Sequence, residues 1–332
     1  MNRILKYTEA LNEALCEEMD RDPYITVFGQ DVGELGGLWG MTKGIKARFG
    51  QHRIIEAPIC ESTMVGMSLG ASLNGVKLLI DIQRIEFLLL GMSALVNEIA
   101  KFHYLTEGQA YQGVVIHSTT GALGGSGPQH SQSLESLFTH IPGLKVILPS
   151  SAFEGKGLLK SALRSRDPIL FFDHVLLNFT KSTVPLADYT LPLTQARMVK
   201  LGTELTLLSN SHMLYRIENL LPEIARLGID IELIDLRCIA PIDMPSIVKS
   251  VKKTGRLVII HDPCKLGGYG QQIISHLMEF EFGALKHPPV LLGSKHFPIP
   301  HAPDLQREIF VSDKLILSTL ALLSCKKNLK LP

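Results

Sequence analysis

Two residues of this sequence stand where side-chain chemistry is most useful. Glu61 closes the run Ala57-Pro58-Ile59-Cys60-Glu61, a strand end followed by a helix. In a parallel α/β sheet, ligands bind outside the carboxyl ends of the strands. An acid there can hold or move a proton; it can also be an ordinary first-turn residue favoured by the helix dipole. His130 sits in Pro128-Gln129-His130-Ser131-Gln132, just after Gly121, Gly124, Gly125 and Gly127. A glycine loop that delivers one histidine suits a site that closes around a ligand, because imidazole exchanges protons near neutral pH. A flexible surface loop with an incidental histidine has the same signature. Gly267-Gly268-Tyr269-Gly270, ahead of a helix, could cradle a phosphate or simply turn the chain. No Lys-Ser or Lys-Thr follows it, so it is not a Walker loop. His261 and Cys264 sit three apart with no second pair of metal ligands nearby, which argues against zinc.

The elements that must position these residues alternate along the chain. Helical periodicity over Tyr7–Asp20 precedes an apolar strand at Ile25–Phe28 and a glycine-rich, mostly irregular stretch, Gly29–Gly50. A helix over Ser62–Asn74 carries Gly66 and Gly70 on one side, a spacing suited to close approach of another helix, in the core or across a subunit interface. Strands at Lys77–Ile82, Gly113–Ser118, Lys145–Leu148 and Ile169–Phe172 alternate with helices at Phe87–Thr106, Leu134–His140 and Ala152–Arg164. Pro185, Pro192 and scattered polar residues then break the pattern. It resumes with strands at Glu204–Ser209, Asp230–Asp235, Arg256–His261 and Val290–Leu292, separated by helical stretches. Such alternation predicts an α/β fold, two domains each with a mainly parallel sheet flanked by helices. The expected division is a first domain over 1–185, a linker over 186–202 and a second domain over 203–332.

Composition narrows the classes further. Charged residues are 20 % of the 332, below the usual ~25 %, so much surface should be buried, including against other subunits. Lys and Arg number 33 and Asp and Glu 32, a net charge of +1 that exerts no pull toward nucleic acid or an anionic membrane. The five cysteines are odd in number and far apart, as in a reducing compartment. The longest apolar stretches, Phe87–Val96 and Leu315–Cys325, are shorter than the ~20 residues a membrane helix needs. Early acids (Glu9, Glu13, Glu17, Glu18) do not suit a secretory signal or transit peptide, so the expected location is cytoplasmic, or the mitochondrial matrix for a processed form.

Taken in order, several segments carry a resemblance. They are Phe28-Gly29-Gln30-Asp31-Val32-Gly33, Pro58-Ile59-Cys60-Glu61, Gln129-His130-Ser131-Gln132-Ser133, Pro142-Gly143-Leu144-Lys145-Val146 and Lys156-Gly157-Leu158-Leu159. The second half adds Ile234-Asp235-Leu236-Arg237, Lys253-Thr254-Gly255-Arg256 and Gly267-Gly268-Tyr269-Gly270. Together they resemble the beta subunit of the thiamine-diphosphate-dependent 2-oxo acid dehydrogenases, over nearly the whole chain. This is the decarboxylating first component of the pyruvate and branched-chain 2-oxo acid dehydrogenase complexes. The resemblance implies a pyrimidine-binding domain followed by a transketolase-type C-terminal domain. It implies an α2β2 heterotetramer with cofactor sites between α and β, and an acyl group passed to the lipoyl acyltransferase core. In that family the alpha subunit holds the diphosphate through magnesium with a Gly-Asp-Gly motif; this sequence contains none, as befits a beta subunit.

By the same resemblance, Glu61 is the glutamate that hydrogen-bonds the aminopyrimidine ring. A carboxylate there favours the imino tautomer, whose nitrogen can remove the thiazolium C2 proton. His130 matches a histidine near the reactive carbon, Phe87 an aromatic packed on the pyrimidine, and Gln83 lies beside it. A potassium ion, held mostly by backbone carbonyls, would fall at Val114, Ala162, Ser165 and Asp167. Some positions depart from the family pattern. Gln30 and Ser93 stand for an acidic pair, His117 for an arginine, Lys295 for an aspartate, and Ser209-Asn210-Ser211-His212-Met213 is an unusual turn. These departures raise a rival reading, a weakly active or non-catalytic assembly subunit. A self-contained transketolase-like enzyme is a third reading, opposed by the missing diphosphate motif. Ile82-Gln83 and Pro149–Leu159 lean slightly toward branched-chain substrates, and pyruvate stays open.

Overall fold

The computed structural model describes residues 2–109 and 113–324; Cys325 lies outside them. The strands of the first half are β1 (Asn2–Lys6), β2 (Ile25–Gly29), β3 (Ile54–Glu56), β4 (Lys77–Arg84), β5 (Val114–Thr120), β6 (Lys145–Ile147), β7 (Ile169–His174) and β8 (Lys181–Pro185). Those of the second half are β9 (Arg197–Lys200), β10 (Leu205–Ser209), β11 (Ile231–Asp235), β12 (Cys238–Ala240), β13 (Leu257–Cys264) and β14 (Val290–Ser294). A seven-stranded sheet runs β12-β6-β7-β5-β4-β2-β3, and a five-stranded sheet runs β14-β13-β10-β11-β9. Each is parallel except for one edge strand, β12 on β6 and β9 on β11. The central strand β5 is buried along its whole length, which is why it reads as an unbroken apolar-to-small run rather than an alternating one.

Several elements differ from the sequence expectation. β1 pairs antiparallel with β8, joining the extreme N-terminus to a segment that follows the last long strand of the first sheet. β9 lies within the stretch read as linker and extends the second sheet. The expected single helix over Phe87–Thr106 is helical but not uniform. An α-turn (Ile85–Leu88) passes through 3₁₀ geometry (Leu89–Gly91) and a π-segment (Ala94–Ile99) before α resumes at Ala100–Leu105. Gly91 marks the reason: a Cβ there would stand 2.6 Å from Val65 Cγ2, so the helix carrying Glu61 presses directly onto its backbone. Gly66 and Gly70, expected to make such a contact, are exposed, and a Cβ at Gly70 would meet nothing within 4 Å.

The two halves share one apolar cluster beside clusters of their own. A single apolar cluster runs from Ile80, Ile116 and Phe172 through to Leu208, Ile259, Tyr269 and Leu291. Polar groups cross the seam as well. The Arg237 guanidinium donates two hydrogen bonds to the Glu154 carboxylate, at 2.7 and 2.8 Å, and Ser150 Oγ donates to Asp235 at 2.6 Å. Both carboxylates are buried, so their charges depend on these partners. The result is one body in which the second domain is held against the carboxyl edge of the first sheet.

Candidate active site

The carboxyl ends of β2, β4 and β5, neighbours in the sheet, converge with the start of the Glu61–Leu73 helix. Glu61 is its first residue, 5 % exposed, beside the first-turn N–H groups that have no partner within the helix. Gln30, just past β2, donates its amide to Glu61 Oε1 at 3.3 Å. Among the described residues no other side chain bonds this carboxylate. Gln83, near the end of β4, donates to Asp31 at 2.9 Å, and Asp31 holds a left-handed φ of 58°. Three residues past β4, the Phe87 ring meets the His130 imidazole edge-on, with centroids 5.4 Å apart at 81°. His130 itself is exposed.

Two buried residues that sequence reasoning passed over hold the histidine loop. Arg84 donates to the carbonyls of His130 and Gly121, the latter at 2.8 Å, and pairs with Glu86 at 3.4 Å. Glu86 in turn accepts the Gln132 N–H at 2.7 Å, and Gly121 N donates to Gln132 O at 3.0 Å. The loop is thus cinched at its base by the Arg84–Glu86 pair, at the end of β4 and in the turn after it. The signal was in the sequence, as an Arg-x-Glu directly after an apolar strand, but nothing local says which loop it grips.

The chain gives the same answer when compared with known proteins. Family models for the transketolase pyrimidine binding domain and the transketolase C-terminal domain match residues 4–177 and 194–316. The pyruvate dehydrogenase E1 component subunit beta-2, chloroplastic, of Arabidopsis thaliana is 38 % identical over 312 residues, 94 % of this chain and 77 % of that protein. The E1 beta subunit of Cyanidium caldarium is 35 % identical, covering 94 % of this chain and 95 % of its own length. That of Porphyra purpurea is 34 % identical, covering 96 % of each. This chain belongs to the pyruvate dehydrogenase E1 beta family. A solved split-gene transketolase, described as an inactive beta4 tetramer, has the same fold, with a TM-score of 0.73 over 96 % of each chain at 20 % identity.

With the family in hand, the remaining expectations can be placed. Val114 opens β5, Ala162 is in the Ala152–Arg164 helix, Ser165 caps that helix and Asp167 precedes β7; all four stand at the amino edge, away from Glu61. The Lys145 ammonium pairs with Asp167, whose carboxylate also lies 3.2 Å from Ser165 Oγ. The Asp167 carboxylate is therefore already engaged by side chains, which leaves backbone carbonyls as the donors a cation in this corner would use. Ser93 is exposed at the start of the π-segment. The glycine turn Gly267–Gly270 makes no cradle: a Cβ at Gly268 would stand 2.5 Å from His261 Nε2, so the absent side chain makes room for that buried ring. Gly66-Met67-Ser68-Leu69-Gly70 has the spacing of a nucleophile elbow, yet Ser68 is buried mid-helix with its hydroxyl on Val65 O at 2.6 Å.

Below the loop the seam carries a second group, His174, His212 and Asp262, whose polar atoms lie within 4.8 Å of one another. His174 Nδ1 accepts the Leu176 N–H at 3.2 Å, which places the ring proton on Nε2, the atom facing Asp262 at 3.8 Å. A protonated Nε2 cannot ligate, so the group reads as a packing contact rather than a metal centre. Burial, and then the charges of Arg84 and Arg216, push the His174 pKa down to about 3. A cleft of about 710 Å³ opens between Pro128–Leu137 of the first domain and the Asp262–Gly267 and Ser294–Ile299 segments of the second.

Proposed function

We propose that this chain is the beta subunit of a pyruvate dehydrogenase E1 component and builds the pyrimidine half of a thiamine diphosphate site. The observation that carries this is the convergence of a buried helix-start carboxylate, Glu61, with the Phe87–His130 pair at one sheet edge. The residues fit that half of the cofactor. Glu61 has room for a ring N–H partner, since its one side-chain bond is the long one from Gln30. The motif for the other half is missing: the sequence has no Gly-Asp-Gly, and at the glycine turn the space beside Gly268 is taken by His261. Magnesium and the diphosphate fall to an alpha subunit, in an α2β2 heterotetramer.

When bound, thiamine diphosphate supplies the electron sink that lets a 2-oxo acid lose carbon dioxide. Glu61 holds and returns a proton at the pyrimidine ring nitrogen, a step an amide could not perform. Phe87 packs against the ring face and Gln83 borders it. His130, exposed near the end of the glycine loop, moves a proton as the acyl group leaves for a lipoyl domain. Gln30 presents an amide donor to Glu61 where the family pattern has an acid.

The exposed side of the Glu61 helix, with Gly66, Met67, Gly70 and Leu73, together with exposed Ile59 and Leu90, offers an apolar surface to a partner subunit. Cys16, Cys60, Cys238 and Cys264 are unpaired, which suits a reducing compartment, the cytoplasm or an organelle interior. Among the described residues no helix is long and apolar enough to cross a membrane.

The test is decarboxylation of a 2-oxo acid panel by this chain co-purified with an alpha subunit, using an artificial electron acceptor. Pyruvate is the expected substrate, ahead of branched-chain acids, because the relatives act in pyruvate dehydrogenase. Glu61→Gln is expected to lower turnover by at least ~10²-fold, the scale of a lost proton-transfer group. Wild-type turnover in that variant would sink the reading. A well-formed complex with no turnover at all would favour the assembly-subunit reading that Gln30 and Ser93 motivate.

A further inference from the structure

A side chain of the second domain reaches the histidine loop. After β14, the segment Pro298-Ile299-Pro300-His301-Ala302-Pro303 has three prolines in six residues, each fixing its own φ near −65°. The segment is tied at both ends. Lys295 N donates to Ile309 O at 3.0 Å, and the buried Gln306 donates to Pro300 O at 2.8 Å. At its tip His301 Nδ1 lies 3.0 Å from Gly125 O. A carbonyl only accepts, so Nδ1 carries the proton and donates.

The ring does more than bond. A Cβ on Gly127 would stand 2.1 Å from His301 Cε1 and 2.5 Å from Nε2, so the imidazole occupies the space a side chain would fill. Gly125 and Gly127 both hold positive φ, +84° and +73°, which glycine adopts without strain. Gly127 immediately precedes the single 3₁₀ turn Pro128–His130, and its carbonyl accepts the His130 N–H at 3.4 Å. Lys295–Ile299 and Pro128–Gln129 both line the 710 Å³ cleft, and the His301–Gly125 contact joins the two chain segments that carry them.

We propose that His301 is a positioning residue for the His130 loop, a pin from the second domain that holds Gly125 and Gly127 and so fixes where His130 stands. This rests on the proton-transfer role proposed for His130. A loop with glycines at positions 121, 124, 125 and 127 loses much conformational freedom on ordering, and a misplaced catalytic group is costly in rate. Arg84 and Phe87 restrain the first-domain side; His301 restrains the other. The pin acts on the loop and leaves Glu61, Gln83 and the pyrimidine end untouched.

The test uses this chain co-purified with an alpha subunit, in three variants. His301→Ala removes ring and donor. His301→Asn keeps an amide donor close to the Nδ1 position. Gly127→Ala pushes a methyl group into the ring. Hydrogen exchange of amides 123–132 is expected to quicken by ~10-fold or more in His301→Ala and Gly127→Ala, and to return toward wild type in His301→Asn. Turnover should fall by ~10-fold in the first two, with thiamine diphosphate affinity unchanged within ~2-fold and partial rescue in His301→Asn. His301 is exposed, so its removal leaves the core intact, and exchange outside the loop verifies this. Unchanged loop exchange in His301→Ala, or faster exchange with undiminished turnover, overturns the proposal. Exchange reads the pin whether or not the complex is active. Full turnover in a parallel Glu61→Gln complex would instead count against the site reading and leave the exchange result standing.

Discussion

Two buried histidines lie beneath the two halves of this site, on neighbouring strands, and one is charged while the other is neutral. His117, on β5, is 5 % exposed, and His174, at the end of β7, is 4 % exposed. His117 Nδ1 lies 2.9 Å from Asp81 and Nε2 lies 2.8 Å from Asp173, whose other oxygen accepts from Tyr7. With a carboxylate on each nitrogen, both must donate, so the ring is an imidazolium. Burial alone would lower its pKa; Asp173 and Asp81 outweigh burial and hold it at about 10. His174 has the Leu176 N–H on one nitrogen and the His212 ring stacked at 4.7 Å, and burial keeps it neutral. Equal burial therefore gives unequal charge, because the partner and not the dielectric decides it. Under Gln83 an ionic triad clamps β4, β5 and β7 together. Under the histidine loop an uncharged contact meets the second domain.

The sharpest way to break the comparison is to remove the imidazolium. His117→Leu leaves Asp81 and Asp173 buried and facing each other, with an expected loss of ~3–5 kcal/mol in denaturant unfolding. Near-wild-type stability would mean that the triad is not ionic. The pH profile comes next. His117 has a folded pKa above its unfolded one, so its contribution is complete below about 6.5 and is lost as pH climbs toward 10. His174 has a folded value below its unfolded one, so its contribution is present above about 6.5 and is lost as pH falls toward 3. The stability gap between wild type and His117→Leu should narrow by more than ~1 kcal/mol on the alkaline side. The gap to His174→Leu should narrow on the acid side, and parallel curves would refute the assignment. The smallest effect is His174→Leu at neutral pH. It strands the Leu176 N–H and should cost ~1–2 kcal/mol by thermal or denaturant unfolding.

How far the sequence reached can be judged residue by residue. The α/β alternation, the strand-to-helix junction at Glu61 and the glycine loop with His130 were legible, because periodicity, helix starts and glycine runs are local properties. Glu61 begins its helix and His130 meets Phe87, as those local signals allowed. The edge strands β1, β9 and β12 were not legible. They are short, and each is a strand only because a distant partner offers an open edge, as β6 does to Cys238–Ala240.

The same limit governs the chemistry. The sequence by itself determined which residue types could act and where each element would present them. Only the tertiary structure decided which of them are charged, which are pinned and by what. His117 is cationic because Asp81 and Asp173, 36 and 56 residues away, close on its two nitrogens. The His130 loop is held by a histidine 176 residues beyond Gly125. Apolar periodicity records that a face is buried, but not what buries it. Ionisation and loop position follow from the identity of that partner.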